Sequence, residues 1–426
     1  MITSLKFENC FAFNEKVEMD LRADMRTKKF YSNITEVNEN LNVMKSIAIY
    51  GPNNTGKTSF INCIRAIKNT LENKEINLSP NIFTGNSIAF EAISFVFNEK
   101  EYYYEYKFDC SKRIYVYEKM TEIVRDKYNN ESEDLIFIKD TINDKFECPK
   151  DYELEKVLNI ASTINILIYT VQIEKFEILK TIKNILTGIA NNIEIIDMNM
   201  IPVEKTIEIL KSKNNEKKKI VEFIKNADIY LEDFKYDEKM QLKVDNKEAE
   251  DKILKNQNLM DQIRLVSVYK GKPVPSIIFD SLGTRKITAL ASYVITAIEE
   301  GKTLIIDEFD SSLHFKITRA IISMFNSELN GKAQLIATLH DISLLDCKKM
   351  FRKEQIWFTD KNEKQTELYS LKDFSYEQSG IRDTTDIQDR YSKGAFGAVP
   401  DPNLISTLLE VDIDEDNKRK KNMYNL

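Results

Sequence analysis

A glycine-rich loop near the start of the chain carries the first residues that could do chemistry. Residues 51–58 match the pattern G-x-x-x-x-G-K-[ST], after an apolar run at 47–50 and before a helical pattern. Backbone amides at a helix start favour a phosphate, because N–H groups and the helix dipole are positive there. Lys57 would bridge the β- and γ-phosphates of a nucleotide, and the Thr58 hydroxyl would ligate Mg²⁺. The predicted nucleotide-binding residues of this loop are Gly51, Asn53, Asn54, Thr55, Gly56, Lys57, Thr58 and Ser59.

An acidic pair follows an apolar run in the second half of the chain. Residues 304–306 are a leucine and two isoleucines, and Asp307 and Glu308 come directly after them. A carboxylate at the first position would hold the Mg²⁺ hydration shell, and one at the second would orient the attacking water. We therefore predict Asp307 as a metal ligand and Glu308 as a catalytic residue.

A second helix start offers another anion site. Ser281, Gly283 and Thr284 open a predicted helix after a strand predicted at 276–279. A serine hydroxyl and glycine amides at a helix start bind anions, although the same serine would equally serve as an ordinary helix cap. The first loop already occupies one side of the nucleotide, so this start is useful only if it meets the γ-phosphate of ATP on another subunit. The pattern predicts a dimer that closes on ATP.

The chain has two histidines, and both fall beside these motifs. His340 follows a strand predicted at 334–338, where a histidine can contact the γ-phosphate and sense its charge. His314 lies in the segment after Glu308 that would line the dimer interface. A structural role is the more common one for a histidine, but the position of His340 favours a catalytic role.

The alternation of elements predicts a mainly parallel sheet that positions these motifs. Strands are predicted at 263–269, 303–306 and 334–338, with helices after residue 284 and from residue 315. Alternating apolar residues between 5 and 21 predict two antiparallel strands ahead of the loop. Residues 87–119 predict further strands with a turn at 98–100. Their aromatic residues indicate a half-buried sheet face rather than a base-stacking platform; those residues are Tyr104, Tyr106 and Phe108.

Residues 154–262 have a mostly helical pattern and divide the chain into three predicted regions. A lobe with the phosphate loop takes residues 1–153, a helical insertion takes 154–262, and a second lobe with the other motifs takes 263–426. Six lysines in the insertion indicate a solvated helix face more than a polyanion-binding one, because the protein is acidic. They are Lys211, Lys213, Lys217, Lys218, Lys219 and Lys225.

The composition is that of a globular protein without a generally basic surface. The chain has 426 residues and a formal net charge of −7, so contact with nucleic acid would need a local patch. Its five cysteines are scattered without a C-x-x-C pair, which favours reduced thiols rather than a zinc site or a disulfide frame. The start of the chain lacks a signal-peptide pattern, and the apolar runs are too short to span a bilayer. We predict a cytoplasmic protein with no membrane partner.

Together the motifs resemble the ABC-like ATPases of prokaryotic anti-phage (abortive infection) systems of the RloA/AbiL type. These are related to the ATPase of PARIS systems and to the ATPase domain of the OLD family. The matching segments are residues 5–13, 50–59, 280–284, 307–314, 340–346 and 391–400. The resemblance implies an α/β fold: an ABC/SMC-like P-loop ATPase head with antiparallel N-terminal strands and a mainly helical insertion. It also implies ATP and Mg²⁺ as cofactors, and a homodimer or higher oligomer.

Differences from transporter ATPases and from OLD-type proteins narrow the resemblance to particular families. Transporter ATPases carry a longer glycine-rich signature with glutamine, whereas this chain has Ser-Leu-Gly-Thr at 281–284, which disfavours a transporter subunit. Transporter-type sites also use a Q-loop glutamine, for which Gln172 is a weak candidate. OLD-type proteins continue into a TOPRIM nuclease domain, but the tail at 412–426 is charged and lacks alternating strands and helices. A nuclease effector would then be a separate protein.

The favoured function is therefore an ATP-hydrolysing sensor subunit that controls a toxic effector, which the resemblance implies to be a TOPRIM-type nuclease. The alternative is an SMC- or RecF-like ATPase of DNA repair that acts directly on DNA. That alternative predicts a basic groove, which the acidic composition disfavours. A non-enzymatic scaffold with a degenerate site is disfavoured by the intact Lys57, Asp307, Glu308 and His340.

Overall fold

The computed structural model of the chain describes residues 1–400 apart from 25–26, 28, 127–129, 153, 155–156, 158–162, 171–175, 213–214, 228–229, 242–255, 363–364 and 375–384. Gln172, Lys213 and the charged tail at 412–426 lie outside the described residues.

The described chain folds into strands and helices that we number in chain order. The strands are β1 (Ile2–Glu8), β2 (Val17–Asp20), β3 (Ile34–Asn38), β4 (Leu41–Met44), β5 (Ser46–Tyr50), β6 (Ile88–Phe97), β7 (Lys100–Asp109), β8 (Ile114–Arg125), β9 (Glu131–Asp140), β10 (Lys145–Glu147), β11 (Ile193–Asp197), β12 (Asp233–Tyr236), β13 (Leu265–Tyr269), β14 (Lys272–Pro275), β15 (Thr303–Asp307), β16 (Gln334–Thr338), β17 (Ile356–Lys361) and β18 (Thr366–Ser370). The α-helices are α1 (Lys57–Leu71), α2 (Glu177–Asn192), α3 (Glu204–Lys211), α4 (Asn215–Asn226), α5 (Gln257–Arg264), α6 (Ser276–Phe279), α7 (Leu282–Glu300), α8 (Phe315–Phe325) and α9 (Ile387–Ser392).

A six-stranded sheet in the order β11-β15-β16-β5-β17-β18 forms the centre of the fold. Its neighbours pair in parallel except β17 and β18, which are antiparallel. Every residue of β5, β15 and β16 is buried, as expected for strands covered on both faces. The prediction of a mainly parallel sheet is confirmed, and the carboxyl ends of these three strands meet at one edge.

A seven-stranded antiparallel sheet, in the order β10-β9-β8-β7-β6-β1-β2, lies beside the parallel sheet. It confirms the two antiparallel strands predicted ahead of the loop and the turn at 98–100, because β6 ends at Phe97 and β7 begins at Lys100. Tyr104, Tyr106 and Phe108 are buried in the core, so the interpretation as a sheet face is also confirmed. Helix α1 joins the two sheets through one hydrophobic core, and its Phe60 ring meets Phe7 edge to face at 5.4 Å.

The middle of the chain is helical but contributes one strand to the parallel sheet. Helices α3 and α4 pack against α7, and the Thr206 and Ser292 hydroxyls are 2.8 Å apart at that contact. Strand β11 is an edge strand of the parallel sheet, although it lies within the region predicted as an insertion. The boundaries predicted for the three regions stay a prediction. Two of the six lysines singled out in the sequence contact other elements. Lys219 pairs with Glu299 on α7, and Lys211 lies over the ring of Tyr236 on β12.

The strand predicted at 276–279 is wrong, because these residues form the short helix α6. Apolar runs of four residues do not distinguish a strand from a helical turn. The side chains of Ile278 and Phe279 are 53% and 64% exposed, so this run was not a buried strand. Among the described helices none has the length and apolar character needed to cross a bilayer.

Candidate functional site

The phosphate-loop motif lies at the carboxyl end of β5 and leads into α1. Gly56 is the N-cap of α1 with φ of 100°, a left-handed conformation that a glycine adopts without strain. The Lys57 ammonium donates hydrogen bonds to the carbonyl oxygens of Gly51 and Pro52 at 2.6 and 2.8 Å. Asn53, Asn54 and Thr58 are exposed at the mouth of the loop, and Ser59 is half-buried. The loop therefore wraps around a buried cation and leaves its amide side open.

Burial and charge act in opposite directions on Lys57. Burial lowers the pKa of its ammonium below the ordinary value, and the carboxylates of Asp307, Glu308 and Asp310 oppose that shift. These carboxylates come from the last residue of β15 and from the chain that follows it, and β15 is two strands away from β5 in the sheet. The fold thus gathers Lys57 and three acids at the same sheet edge.

Gly51 is required by a close approach between the loop and β17. A Cβ atom at this position would lie 2.3 Å from the Thr359 carbonyl oxygen and 2.9 Å from the Thr55 hydroxyl. Thr55 fixes the loop further, because its hydroxyl donates to the Pro52 carbonyl and lies 2.8 Å from the Thr359 hydroxyl. Real Cβ atoms do not approach backbone oxygens so closely, so any side chain at 51 must displace the loop or β17.

Gly51→Ala is accordingly expected to destabilise the protein by about 1–3 kcal/mol, the usual cost of overpacking a core position. Chemical denaturation followed by circular dichroism measures this change in the free energy of unfolding. Gly331→Ala is the matched control, because no atom lies within 4 Å of a Cβ built there. Equal stability of the two variants would contradict the steric argument.

The acidic pair is oriented by Thr338, a residue that the sequence did not indicate. The Thr338 hydroxyl donates to Asp307 Oδ1 at 2.7 Å and accepts from the Glu308 amide at 2.7 Å. Glu308 has a φ of 52°, which turns the chain sharply after the strand and leaves the Glu308 side chain half-buried at the edge. The only signal in the sequence was the position of Thr338 two residues before His340.

The two histidines have different surroundings. The His340 amide donates to Asp310 Oδ2 at 2.7 Å, and the neighbouring Asp341 amide donates to the same oxygen. The His340 ring is exposed at the end of the segment after β16, on the same edge as Lys57 and Glu308. His314 is the N-cap of α8, and its Nδ1 accepts from the Lys316 amide at 3.3 Å.

The second helix start is well formed and packs against the segment after Glu308. Ser281 is the N-cap of α7, and its hydroxyl accepts from the Thr284 amide at 3.2 Å. A Cβ on Gly283 would lie 3.0 Å from the Ser312 carbonyl oxygen, so this turn packs against the segment after Glu308. Among the described residues no hydrogen bond joins Ser281, Gly283 or Thr284 to residues 51–59.

Asp280 holds this helix start from behind and was given no separate role from the sequence. Its carboxylate accepts hydrogen bonds from the hydroxyls of Ser267, Tyr269 and Ser276 at 2.5, 2.8 and 2.6 Å. Burial, together with the hydrogen bond to Asp280, raises the pKa of Tyr269 to about 12. Three donors on one carboxylate fix the direction in which Ser281 faces.

The segment 391–400 packs against the strand that leads into the phosphate loop. The Tyr391 ring lies 6.3 Å from Tyr50 and stacks on Phe358 at 5.4 Å. The Tyr391 hydroxyl donates to the Ala398 carbonyl at 2.5 Å, and the Ala398 amide donates to Asp360 at 2.8 Å. This segment therefore supports the sheet behind the loop.

The fold and the edge residues define a class: an ABC/SMC-like P-loop ATPase head, with mixed α/β architecture and an antiparallel sheet beside the parallel one. The chain belongs to the family described as "AAA domain, putative AbiEii toxin, Type IV TA system", whose model matches residues 46–346. This range includes the phosphate loop, the second helix start, the acidic pair and both histidines.

Comparison with solved structures finds SMC head domains at low sequence identity. The SMC head domain from Thermotoga maritima is 11% identical, with a TM-score of 0.39 over 87% of this chain and 98% of that one. An SMC head bound to the C-terminal winged-helix domain of ScpA is 16% identical, with a TM-score of 0.45 over 88% and 98%. A Pyrococcus furiosus complex of an SMC head with ScpA is 12% identical, with a TM-score of 0.42 over 89% and 97%. No curated protein matches the chain.

Proposed function

We propose that this chain binds ATP at the carboxyl edge of the parallel sheet and hydrolyses it. Lys57 contacts the β- and γ-phosphates, and the amides of residues 53–58 hold the β-phosphate. Glu308 takes the proton of the attacking water, and His340 contacts the γ-phosphate. The observation that carries this proposal is the buried Lys57 ammonium, which the phosphate loop encloses at the sheet edge where β15 ends in Asp307 and Glu308 follows.

The residues at this edge also fit Mg²⁺. Thr58 and Asp307 present a hydroxyl and a carboxylate, and oxygen donors of this kind are the ligands that Mg²⁺ prefers. The hydrogen bond from Thr338 to Asp307 orients the carboxylate from behind, as outer partners of metal ligands do. When bound with ATP, Mg²⁺ neutralises charge on the phosphate oxygens.

We further propose that ATP is sandwiched between two copies of the chain. Ser281 is exposed, whereas Gly283 and Thr284 are half-buried. All three residues lie at the start of a helix of 19 residues. Among the described residues no hydrogen bond joins this start to the phosphate loop of its own chain, and the Asp280 contacts hold it in place. A second copy that brings its own phosphate loop to this helix start completes the site, because the helix dipole and free amides favour the γ-phosphate.

Ser281→Arg is expected to leave ATP binding to the monomer within about 2-fold of wild type but to block association. The bulky side chain fills the place of the partner's phosphate, and loss of a cap costs only about 1 kcal/mol. Analytical ultracentrifugation with and without Mg-ATP measures association, and a fluorescent ATP analogue measures binding. Thr181→Arg on the exposed side of α2 is the control. Normal ATP-dependent association of Ser281→Arg would exclude the composite site.

The cellular role that we propose is a cytoplasmic regulatory ATPase of an anti-phage system, of the RloA/AbiL type and related to the PARIS ATPase. The family description includes a toxin of a toxin–antitoxin system, which supports a defence role. The effector is a separate protein, and the sequence resemblance favours a TOPRIM-type nuclease. ATP closes two heads, and hydrolysis at Glu308 opens them. The alternative is an SMC- or RecF-like ATPase that acts directly on DNA.

The first experiment is an affinity purification of tagged Glu308→Gln protein from its native host in Mg-ATP. Mass spectrometry identifies the partners, and native mass measures the assembly. A stoichiometric nuclease-like partner in a large assembly supports the defence role and identifies the effector. A bare dimer that retains DNA, with no protein partner, supports the DNA repair alternative.

A further inference from the structure

Glu308 has a hydrogen-bond partner far away in the sequence. The side-chain amide of Asn199 donates to Glu308 Oε2 at 2.7 Å, across 109 residues of chain. We propose that Asn199 is a positioning residue that holds the Glu308 carboxylate in the orientation needed to accept a proton from the attacking water. This inference rests on the proposed role of Glu308 in hydrolysis.

The main chain places Asn199 at this point through the parallel sheet. β11 pairs with β15 so that Asp197 lies opposite Asp307, and the Met198 amide continues the ladder by donating to the Asp307 carbonyl at 3.1 Å. The backbone amide of Asn199 then donates to the Asp197 carboxylate at 2.7 Å, and this hydrogen bond turns the chain toward the sheet edge. The contacts of residues 197–199 therefore place Asn199 beside the acidic pair, directly after the end of β11.

The chain that follows Asn199 is held on its other side by α7, the helix that begins with the second anion site. The Tyr293 hydroxyl on α7 donates to the Pro202 carbonyl at 3.1 Å. Further along, the Thr206 hydroxyl lies 2.8 Å from Ser292 and 3.2 Å from the Ala289 carbonyl, both on α7. The short segment between β11 and α3 is thus anchored at both ends, and Asn199 is its contact with Glu308.

The contact uses one carboxylate oxygen and leaves the other available. Among the described residues no hydrogen bond reaches Glu308 Oε1, so this oxygen is available for the proton of a water. A glutamate side chain rotates about three bonds, and a fixed donor on one oxygen restricts that rotation. A misplacement of a catalytic group by about 1 Å lowers the rate about 100-fold. We therefore expect the Asn199 amide to raise the rate of hydrolysis by restraining the Glu308 carboxylate.

Another explanation is that this is an exposed polar pair without consequence for turnover. Asn199 is exposed and Glu308 is half-buried, and a hydrogen bond that water can replace contributes little to stability. The two explanations differ in kcat. A positioning residue changes kcat and acts only through Glu308, whereas an incidental pair changes neither kcat nor nucleotide affinity.

The test compares Asn199→Ala, Asn199→Asp and Asn199→Gln with wild type by single-turnover and steady-state ATP hydrolysis. Asn199→Ala is expected to lower kcat about 10-fold to 100-fold, with KM within about 2-fold. Asn199→Asp has the same shape but no amide donor, and it places a like charge beside Glu308, so it is expected to lose at least as much. Asn199→Gln keeps the amide and is expected to recover part of the rate.

Met200→Ala is the matched control, because Met200 is the next residue in the same segment and its side chain is 81% exposed. The decisive measurement is the double variant Asn199→Ala/Glu308→Gln. If Asn199 acts through Glu308, the double variant hydrolyses ATP within about 2-fold of Glu308→Gln alone. A further loss similar to that in the wild-type background would overturn the positioning role, and so would wild-type kcat in Asn199→Ala.

The failure of this inference can be told apart from the failure of the proposed function. If Glu308→Gln loses turnover and Asn199→Ala does not, the inference fails and the role of Glu308 stands. If Glu308→Gln itself turns over as wild type, the proposed function of that residue fails, whatever the Asn199 variants do.

Discussion

Lys57→Ala is expected to abolish ATP binding at micromolar nucleotide. The ammonium is the one cation that the phosphate loop encloses among the described residues, and it contacts two phosphates in the proposed complex. Charge-assisted hydrogen bonds contribute roughly 1.5–3 kcal/mol each, so two of them amount to at least about 3 kcal/mol and Kd rises at least about 100-fold. Titration with a fluorescent ATP analogue measures this, and Arg65→Ala on the exposed face of the same helix is the control.

The Lys57→Ala protein is expected to stay folded, which separates loss of binding from loss of structure. Burial lowers the pKa of Lys57, so below that pKa the charged ammonium is less favourable in the folded protein than in the unfolded chain. At neutral pH the charge therefore opposes folding rather than supporting it. The apo variant should keep the wild-type Tm but lose the rise in Tm that Mg-ATP gives. A Tm that still rises with Mg-ATP would refute the assignment of the phosphate loop.

Glu308→Gln is expected to bind ATP normally and to lower turnover by about 100-fold or more, the usual contribution of a general base. The amide has nearly the shape of the carboxylate but does not accept the proton of a water. ATP then remains in place, and the closed dimer accumulates. Steady-state phosphate release measures the first effect, and native mass in Mg-ATP measures the second.

The control for Glu308→Gln is Glu328→Gln, which removes the same charge from an exposed position after α8. Its turnover and oligomeric state should match those of wild type. Wild-type turnover in Glu308→Gln would remove this glutamate from the mechanism. Loss of turnover without a longer-lived dimer would keep the catalytic role but disconnect hydrolysis from opening of the dimer.

The elements that position the main motifs could be predicted from the sequence, because their signals are local. The helical spacing after Lys57 reflects one helix face, and the apolar runs before Gly51 and Asp307 reflect strands buried on both faces. Helix and strand periodicity extend over a few residues, and the loop pattern carries its own chemistry. These signals predict strands of both sheets and the helix α1. They also predict an acidic pair near the phosphate loop.

The partners of the site residues could not be predicted, because they depend on which strands are neighbours. Asn199 meets Glu308 only because β11 pairs with β15, and Thr338 meets Asp307 only because β16 lies on the other side of β15. Asn199 was not predicted as a site residue, because nothing in the sequence places residue 199 beside residue 308.

The same reason explains the wrong strand at 276–279 and the unpredicted role of Asp280. A run of four apolar residues is compatible with a strand or a helical turn, and packing against β13 and β14 decided for the turn. The three hydroxyls that donate to Asp280 come from β13 and α6, which the chain brings together only when folded.

The sequence by itself determined which residues can do chemistry, because side-chain identity and local periodicity carry that information. The tertiary structure alone decided which residues hold them in place, because strand pairing joins segments whose separation along the chain leaves no periodic signal.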